Sequence, residues 1–177
     1  MNQLIVSCSL SASSRSALLA EHLRGAVAGV GDDVELIDLR KVELPFCDAG
    51  ACYADPNVTR LKHAITRASA VTIATPIYNF ETGGATRNLI SLTGDAWTNK
   101  VVGFVCAAGG HNSYMSIMSL ANSLMLDFRA VIVPRFVYAT GAAFEKDELI
   151  DDQVRERIGQ LATELHRFGS ALAVPTG

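Results

Sequence analysis

Residues 3–19 read QLIVSCSLSASSRSALL. Leu4, Ile5 and Val6 form a strand-length apolar run, and six serines (Ser7, Ser9, Ser11, Ser13, Ser14 and Ser16) then fall within ten positions. Leu18, Leu19, Leu23 and Val27 follow at helical spacing. A strand that breaks into a hydroxyl-rich loop and opens a helix is the first half of a β/α unit. The first N–H groups of a helix have no partner within it and carry partial positive charge, so such a junction suits a phosphate. Serine hydroxyls add donors there, and Arg15 adds a charge. The same serines also suit plain helix capping, and this segment alone leaves both readings open.

The pattern repeats outward from that unit. Apolar, β-branched runs recur at residues 4–8, 34–39, 70–74, 101–107 and 130–133. Helical spacing fills the gaps: Val58, Leu61, Ile65 and Ala68; then Leu89, Ile90 and Leu92; then Ile117, Leu120, Ala121, Leu124 and Met125; and finally Val154, Ile158, Leu161, Leu165 and Phe168. Strand alternating with helix five times predicts an α/β fold, a three-layer sandwich with a parallel sheet and helices on both faces. Five such units suit the flavodoxin-like order 2-1-3-4-5, as one domain over residues 1–177. Residues 175–177, Pro-Thr-Gly, are expected as a frayed tail.

Composition narrows the function classes. Hydrophobic residues make up 49% and charged residues 19%, a globular balance. A net charge of −3 with no Lys/Arg cluster argues against a nucleic-acid surface. The apolar runs are strand-length, so no membrane span is expected, and the start lacks the pattern of a secretory signal. The expectation is a cytoplasmic protein with reduced thiols at Cys8, Cys47, Cys52 and Cys106. Cys47 and Cys52 form the single close pair; with no matching Cys/His pair, no metal site is expected.

In an open α/β sheet the ligand sits beyond the carboxyl ends of the strands, so a phosphate site after strand 1 needs companions after strands 3 and 4. After strand 3 comes Thr75-Pro76-Ile77-Tyr78-Asn79-Phe80-Glu81-Thr82-Gly83-Gly84. Tyr78 and Phe80 offer flat apolar walls, and Asn79 offers amide donors and an acceptor beside them. A planar ring ligand needs that combination; packing of the two rings against a second subunit is the competing account. After strand 4 comes Ala107-Ala108-Gly109-Gly110-His111-Asn112-Ser113-Tyr114, whose paired glycines leave N–H groups free for a heterocycle edge.

With these three loops on the page, the chain resembles the NADPH-dependent FMN reductase family, flavodoxin-like proteins that include quinone, azo-dye and chromate reductases. The similarity rests on the serine loop at residues 9–16, on Thr75-Pro76-Ile77-Tyr78-Asn79 and on the Gly109-Gly110 turn, and runs through roughly residues 4–133. It implies FMN held without a covalent bond, with NADPH or NADH as co-substrate and a quinone, free flavin or azo compound as acceptor. Ser9, Ser14 and Ser16 match positions that bind the FMN phosphate. Pro76, Tyr78 and Asn79 match the loop along the isoalloxazine and ribityl chain, and Gly109 and Gly110 match the turn at the ring's pyrimidine edge. His111 is a candidate contact to nicotinamide or flavin. The family often has Gly at the position of Cys8 and, at that of Ser11, an Arg that aids phosphate binding. Here Ser11 stays in the candidate set, with Arg15 as the offset charge. Many members carry Glu at the position of Ile77 and Pro at that of Gly83.

The cofactor carries such chemistry, so no catalytic triad or carboxylate pair is expected. Arg87 and Arg135 are candidates for a 2′-phosphate contact. Trp97, Tyr114, Phe128, Phe136 and Tyr138 exceed what one small core needs, and with the resemblance they suggest a homodimer or homotetramer. Three other readings stay open. A flavodoxin-type electron carrier would bind FMN but is usually more acidic. A low-molecular-weight tyrosine phosphatase shares the topology, but needs five residues between its Cys and Arg where Cys8 and Arg15 enclose six, and a late Asp-Pro where the chain has none after Asp55-Pro56. The last is a non-catalytic interaction domain.

Overall fold

The computed structural model describes residues 1–172; the expected tail at residues 175–177 lies outside them. Along the chain run β1 (Asn2–Ser7), α1 (Arg15–Gly29), β2 (Asp33–Asp38), α2 (Pro56–Arg67), β3 (Ala70–Tyr78), β4 (Glu81–Thr82) and α3 (Gly84–Thr93). They are followed by β5 (Val101–Ala108), α4 (Met118–Phe128), β6 (Val131–Ile132), β7 (Val137–Thr140), β8 (Phe144–Glu145), β9 (Glu148–Leu149) and α5 (Asp152–Ala171). The main sheet runs β2-β1-β3-β5-β6, and its core strands are parallel.

That is the expected order of five positions, with the last one split. β6 pairs with the start of β5 and β7 with its end, both parallel. Pro134, which has no N–H for a ladder, lies in the interruption between them. The expected strand at residues 130–133 is therefore the first half of a longer edge, and β7 was not legible as its continuation. Strand 3 also outruns the expectation. Residues 75–78, read as loop, belong to β3, because Thr75 and Pro76 pair with Cys106 and Ala107. Ile77 and Tyr78 then fold back antiparallel on Thr82 and Glu81. Pro76 stands past the end of the β1 pairing, which stops at Ser7 and Ala74.

Alternation along the strands builds two apolar layers. Leu4, Val6, Ile73, Phe104 and Cys106 face α2, α3 and α4, while Ile5, Ala74, Val101 and Val105 face α1 and α5. Asp55 caps α2, Asp151 caps α5 and Ser14 caps α1, each accepting main-chain N–H groups of the first turn. Trp97 is fully buried in the first layer, with Nε1 donating to Thr93 Oγ1 at 2.7 Å. Tyr138 is buried too, and Phe128 and Phe136 pack on the same layer. Of the five aromatics counted toward a subunit contact, Tyr114 is the exposed one; the rest are absorbed within the chain. Among the described residues no helix is long and apolar enough to cross a membrane.

One polar staple crosses the α1–α5 layer. The buried Asp32 carboxylate accepts from Gln3 Nε2 at 2.7 Å, bonds His166 Nδ1 at 3.0 Å and pairs with the Met1 amino group at 3.1 Å. Burial works against its charge, but the bonds from Gln3, His166 and Met1 outweigh this and hold the carboxyl below its usual range. A group lowered in the folded state contributes stability above its unfolded value, about 3.9, and loses that contribution as pH falls through the folded value. Asp32→Asn is expected to cost about 1–3 kcal/mol at neutral pH. In urea unfolding the gap to the parent closes between pH 5 and pH 2; a gap that is the same at both ends contradicts the assignment.

Candidate functional site

β1, β3 and β5 run parallel, so their carboxyl ends share one edge of the sheet. A cavity of about 1400 Å³ opens there. Ser9, Ser11, Ser14, Arg15, Ser16, Pro76, Ile77, Tyr78, Asn79, Gly109, Gly110 and His111 all line it. Three segments far apart in sequence thus meet where the topological rule places a ligand.

The serine loop is built to leave donors free. Ser9 is buried, and its Oγ accepts the Ser11 N–H at 3.3 Å, which curls the loop. Ser14 Oγ caps α1 by accepting the Ala17 N–H at 3.0 Å and lies 3.1 Å from Ser16 Oγ. The N–H groups of Ser13, Arg15 and Ser16 donate to no acceptor among the described residues. Unpaired donors at a 15-residue helix start, ringed by hydroxyls, make a cradle for an anion.

The opposite wall comes from the β3–β4 hairpin. Asn79 and Phe80 both take positive φ, 50° and 62°, which makes the tight turn. That turn leaves Tyr78 56% and Phe80 64% exposed at the rim. Gly83 packs closely behind it: a Cβ there would stand 3.1 Å from Pro76 Cγ, and its N–H donates to Pro76 O at 3.0 Å. The third wall is the turn after β5. Tyr138 Oη donates to the Gly110 carbonyl at 2.5 Å and lies 2.7 Å from Ser113 Oγ, so β7 pins this turn. Both Gly109 and Gly110 line the cavity, and a Cβ on either would meet no protein atom within 4 Å.

The cations at the cavity differ from those read in the sequence. Arg15 lines it, but its guanidinium lies over the Phe144 ring, 5.6 Å from the centroid. Arg40, just after β2, and Lys146, on the β8–β9 hairpin, line it as well. Arg40 Nε donates to both Asp38 oxygens, at 3.0 and 2.9 Å, and Nη1 donates to the Ala12 carbonyl at 3.1 Å. Burial opposes the Asp38 charge, but the Arg40 bonds prevail and keep its carboxyl below the usual range. The carboxyl-edge rule applied to strand 2 would have found Arg40; Lys146 sits in a hairpin with no sequence signal. Arg87 and Arg135, read as 2′-phosphate candidates, do not line the cavity. Arg87 pairs with Glu81 at 3.1 Å, and Arg135 sits in a separate groove with Tyr114, Phe136 and Arg157.

Cys8 closes off the phosphatase reading. It is 1% exposed, its Sγ donates to Val6 O at 3.6 Å, and burial pushes its thiol up to about 12. A buried thiol of that kind supplies no thiolate nucleophile at neutral pH. Among the described residues no group of three or more His, Cys, Asp or Glu is placed to hold a metal ion.

Comparison with known proteins adds independent findings. The family described as NADPH-dependent FMN reductase matches residues 1–145. An NAD(P)H-dependent FAD/FMN reductase of Geobacillus thermodenitrificans is 35% identical over 136 residues, 75% of this chain and 74% of that one. In fold, the chain is similar to FerB, a flavoenzyme NAD(P)H:(acceptor) oxidoreductase from Paracoccus denitrificans, with a TM-score of 0.79 and 20% identity over 98% of this chain and 99% of that one. It is also similar to an FMN-dependent NADH-azoreductase from Bacillus anthracis in complex with FMN, with a TM-score of 0.70 and 14% identity over 93% and 99%.

Ser14 separates capping from anion binding. Asp caps a helix as well as Ser does, so Ser14→Asp is expected to leave thermal stability near that of the parent. The added charge faces the cradle and is expected to weaken FMN binding about tenfold or more, at least ~1.4 kcal/mol. A fluorescence titration with FMN reads this directly; an unchanged Kd removes Ser14 from the site.

Proposed function

The chain belongs to the NADPH-dependent FMN reductase family, and we propose that it binds FMN in the cavity at the ends of β1, β3 and β5 and there reduces a small planar acceptor with NAD(P)H. It is an NAD(P)H-dependent oxidoreductase with FMN as its cofactor. The observation that carries the reading is the meeting of the serine cradle, the aromatic hairpin and the Gly109-Gly110 turn in one cavity. At about 1400 Å³ it exceeds the roughly 300–1,000 Å³ of ordinary small-molecule pockets. A flavin and a second substrate fit that space together.

When bound, FMN supplies the redox chemistry, two electrons and a proton passing from the nicotinamide to a second substrate. The residues of the chain do the rest. Ser9, Ser11, Ser14 and Ser16, with the free N–H groups of Ser13, Arg15 and Ser16, hold the phosphate. Arg15 and Lys146 add positive potential, and Arg40 braces the loop through the Ala12 carbonyl. Pro76, Ile77, Tyr78 and Asn79 flank the ribityl chain and ring, while Gly109, Gly110 and His111 meet its polar edge. No side chain is assigned a proton-transfer role. The exposed faces of Tyr78 and Phe80 suit a flat acceptor such as a quinone, a free flavin or an azo compound.

The same rings form apolar surface at the cavity mouth. That surface supports a homodimer or homotetramer, with a second chain covering the mouth. We place the protein in the cytoplasm, where its nicotinamide reductant is made, with no nucleic-acid or membrane partner.

The test is a visible absorption spectrum of the protein after loading with FMN and removing the excess. Flavin bands are expected to stay with the protein, to bleach anaerobically with NADPH and to return when a quinone is added. Bands that wash away, or that stay but do not bleach with NADPH or NADH, contradict the proposal.

A further inference from the structure

Cys47 and Cys52, the close pair in the sequence, lie outside the cavity lining, and no part of the flavin reading uses them. The structure folds them back on one another. Asn88 of α3 clamps the segment, its Oδ1 accepting the Cys47 N–H at 2.9 Å and its Nδ2 donating to Pro45 O at 2.8 Å. Asp48 Oδ1 then accepts the N–H groups of Gly50 at 2.9 Å and Cys52 at 3.2 Å. With Ala49 in the left-handed region at φ 57°, this makes a closed turn. Both cysteines join one small apolar cluster with Leu44, Val58 and Leu92.

The two thiols are unlike. Cys52 is 5% exposed, and burial raises its thiol above the ordinary value. Cys47 is half-buried, with the Tyr53 hydroxyl 3.5 Å from its Sγ. Hydrogen bonds from Tyr53 and the Ala49 main chain lower its thiol, against the nearby Asp48 charge. The remaining two thiols, Cys8 and Cys106, are wholly buried, and burial raises both.

We propose that Cys47 and Cys52 are an oxidation site, a dithiol that hydrogen peroxide closes to an intrachain disulfide. The Cys47 thiolate attacks one peroxide oxygen, the O–O bond breaks, and hydroxide leaves to become water on taking up a proton. Cys47 is then a sulfenic acid. The Cys52 sulfur, giving up its proton, attacks the Cys47 sulfur and breaks its S–O bond, releasing a second water. Two thiols lose two electrons in total, and one peroxide gains them. Cys47 reacts first because it is the accessible and more acidic thiol; Cys52 resolves because it is held beside it.

Trypsin cleaves after Lys41 and Arg60, so peptide 42–60 contains both cysteines. The full-length protein is treated with hydrogen peroxide, quenched with N-ethylmaleimide under denaturing conditions, digested and weighed. The peptide is expected to lose both maleimide adducts and to be lighter than the dithiol by two hydrogens, with dithiothreitol restoring both adducts. In Cys52→Ser, Cys47 is expected to stop at a sulfenic acid that dimedone captures. In Cys47→Ser, Cys52 is expected to remain a thiol. Two maleimide adducts on the peroxide-treated parent, in a digest where the exposed Met115 is oxidised, overturn the proposal. Oxidation of Cys47 beyond sulfenic acid while Cys52 stays alkylatable overturns it as well.

Discussion

The N–H groups of Ser13, Arg15 and Ser16 have no acceptor among the described residues, and the cavity depends on that local deficit. Helix α1 begins at Arg15, after the serine loop that follows β1, the strand that lies between β2 and β3 in the parallel order. A chain that turned there with its donors satisfied would have no reason to bind an anion. Instead Ser14 uses its hydroxyl on Ala17 and leaves the N–H groups of Ser13, Arg15 and Ser16 open, while the little-exposed Ser9 and Ser16 line the cavity beside them. The sheet then decides what surrounds the anion, because β3 and β5 end on the same edge and carry their own turns to it.

The departure from the usual phosphate loop finds a physical answer in the same region. Ser11 stands where relatives often carry Arg, and the offset Arg15 leans on Phe144 rather than standing free. Arg40 approaches from the end of β2 and bonds the Ala12 carbonyl, but its charge is matched by Asp38. Its contribution is to shape: it fixes the loop that presents the N–H groups. Lys146 has no carboxylate partner among the described residues and also lines the cavity. Positive potential is thus spread around the rim, and the main-chain donors are left open toward the cavity.

Much of this was legible in the sequence, because the decisive signals are local. The β-branched runs, the serines ahead of Leu18 and Leu19, and the paired glycines at 109 and 110 each mark a piece of backbone by local sequence alone. Pairing was harder to read. Thr75 to Tyr78 looks like a loop by composition, yet β5 holds Thr75 and Pro76 as strand and β4 holds Ile77 and Tyr78. Val137 to Thr140 is too short to stand out, and becomes a strand because β5 offers an open edge beyond Pro134. The places of the aromatic residues were hard to read for the same reason. Trp97, Phe128, Phe136 and Tyr138 find partners only once α4 and the split edge strand are in place. Arg40 and Lys146 reach the cavity through tertiary placement, and neither sits in a motif.

The central claim, that the main-chain donors and serines at the start of α1 hold the phosphate of FMN, is tested most directly by comparing FMN with riboflavin, which lacks the phosphate. With charge-assisted hydrogen bonds worth about 1.5–3 kcal/mol each, titration of the flavin-free protein is expected to show FMN bound at least about a hundredfold more tightly. Equal affinity for the two flavins would contradict the account, because the ring would then bind without any use of the serine loop.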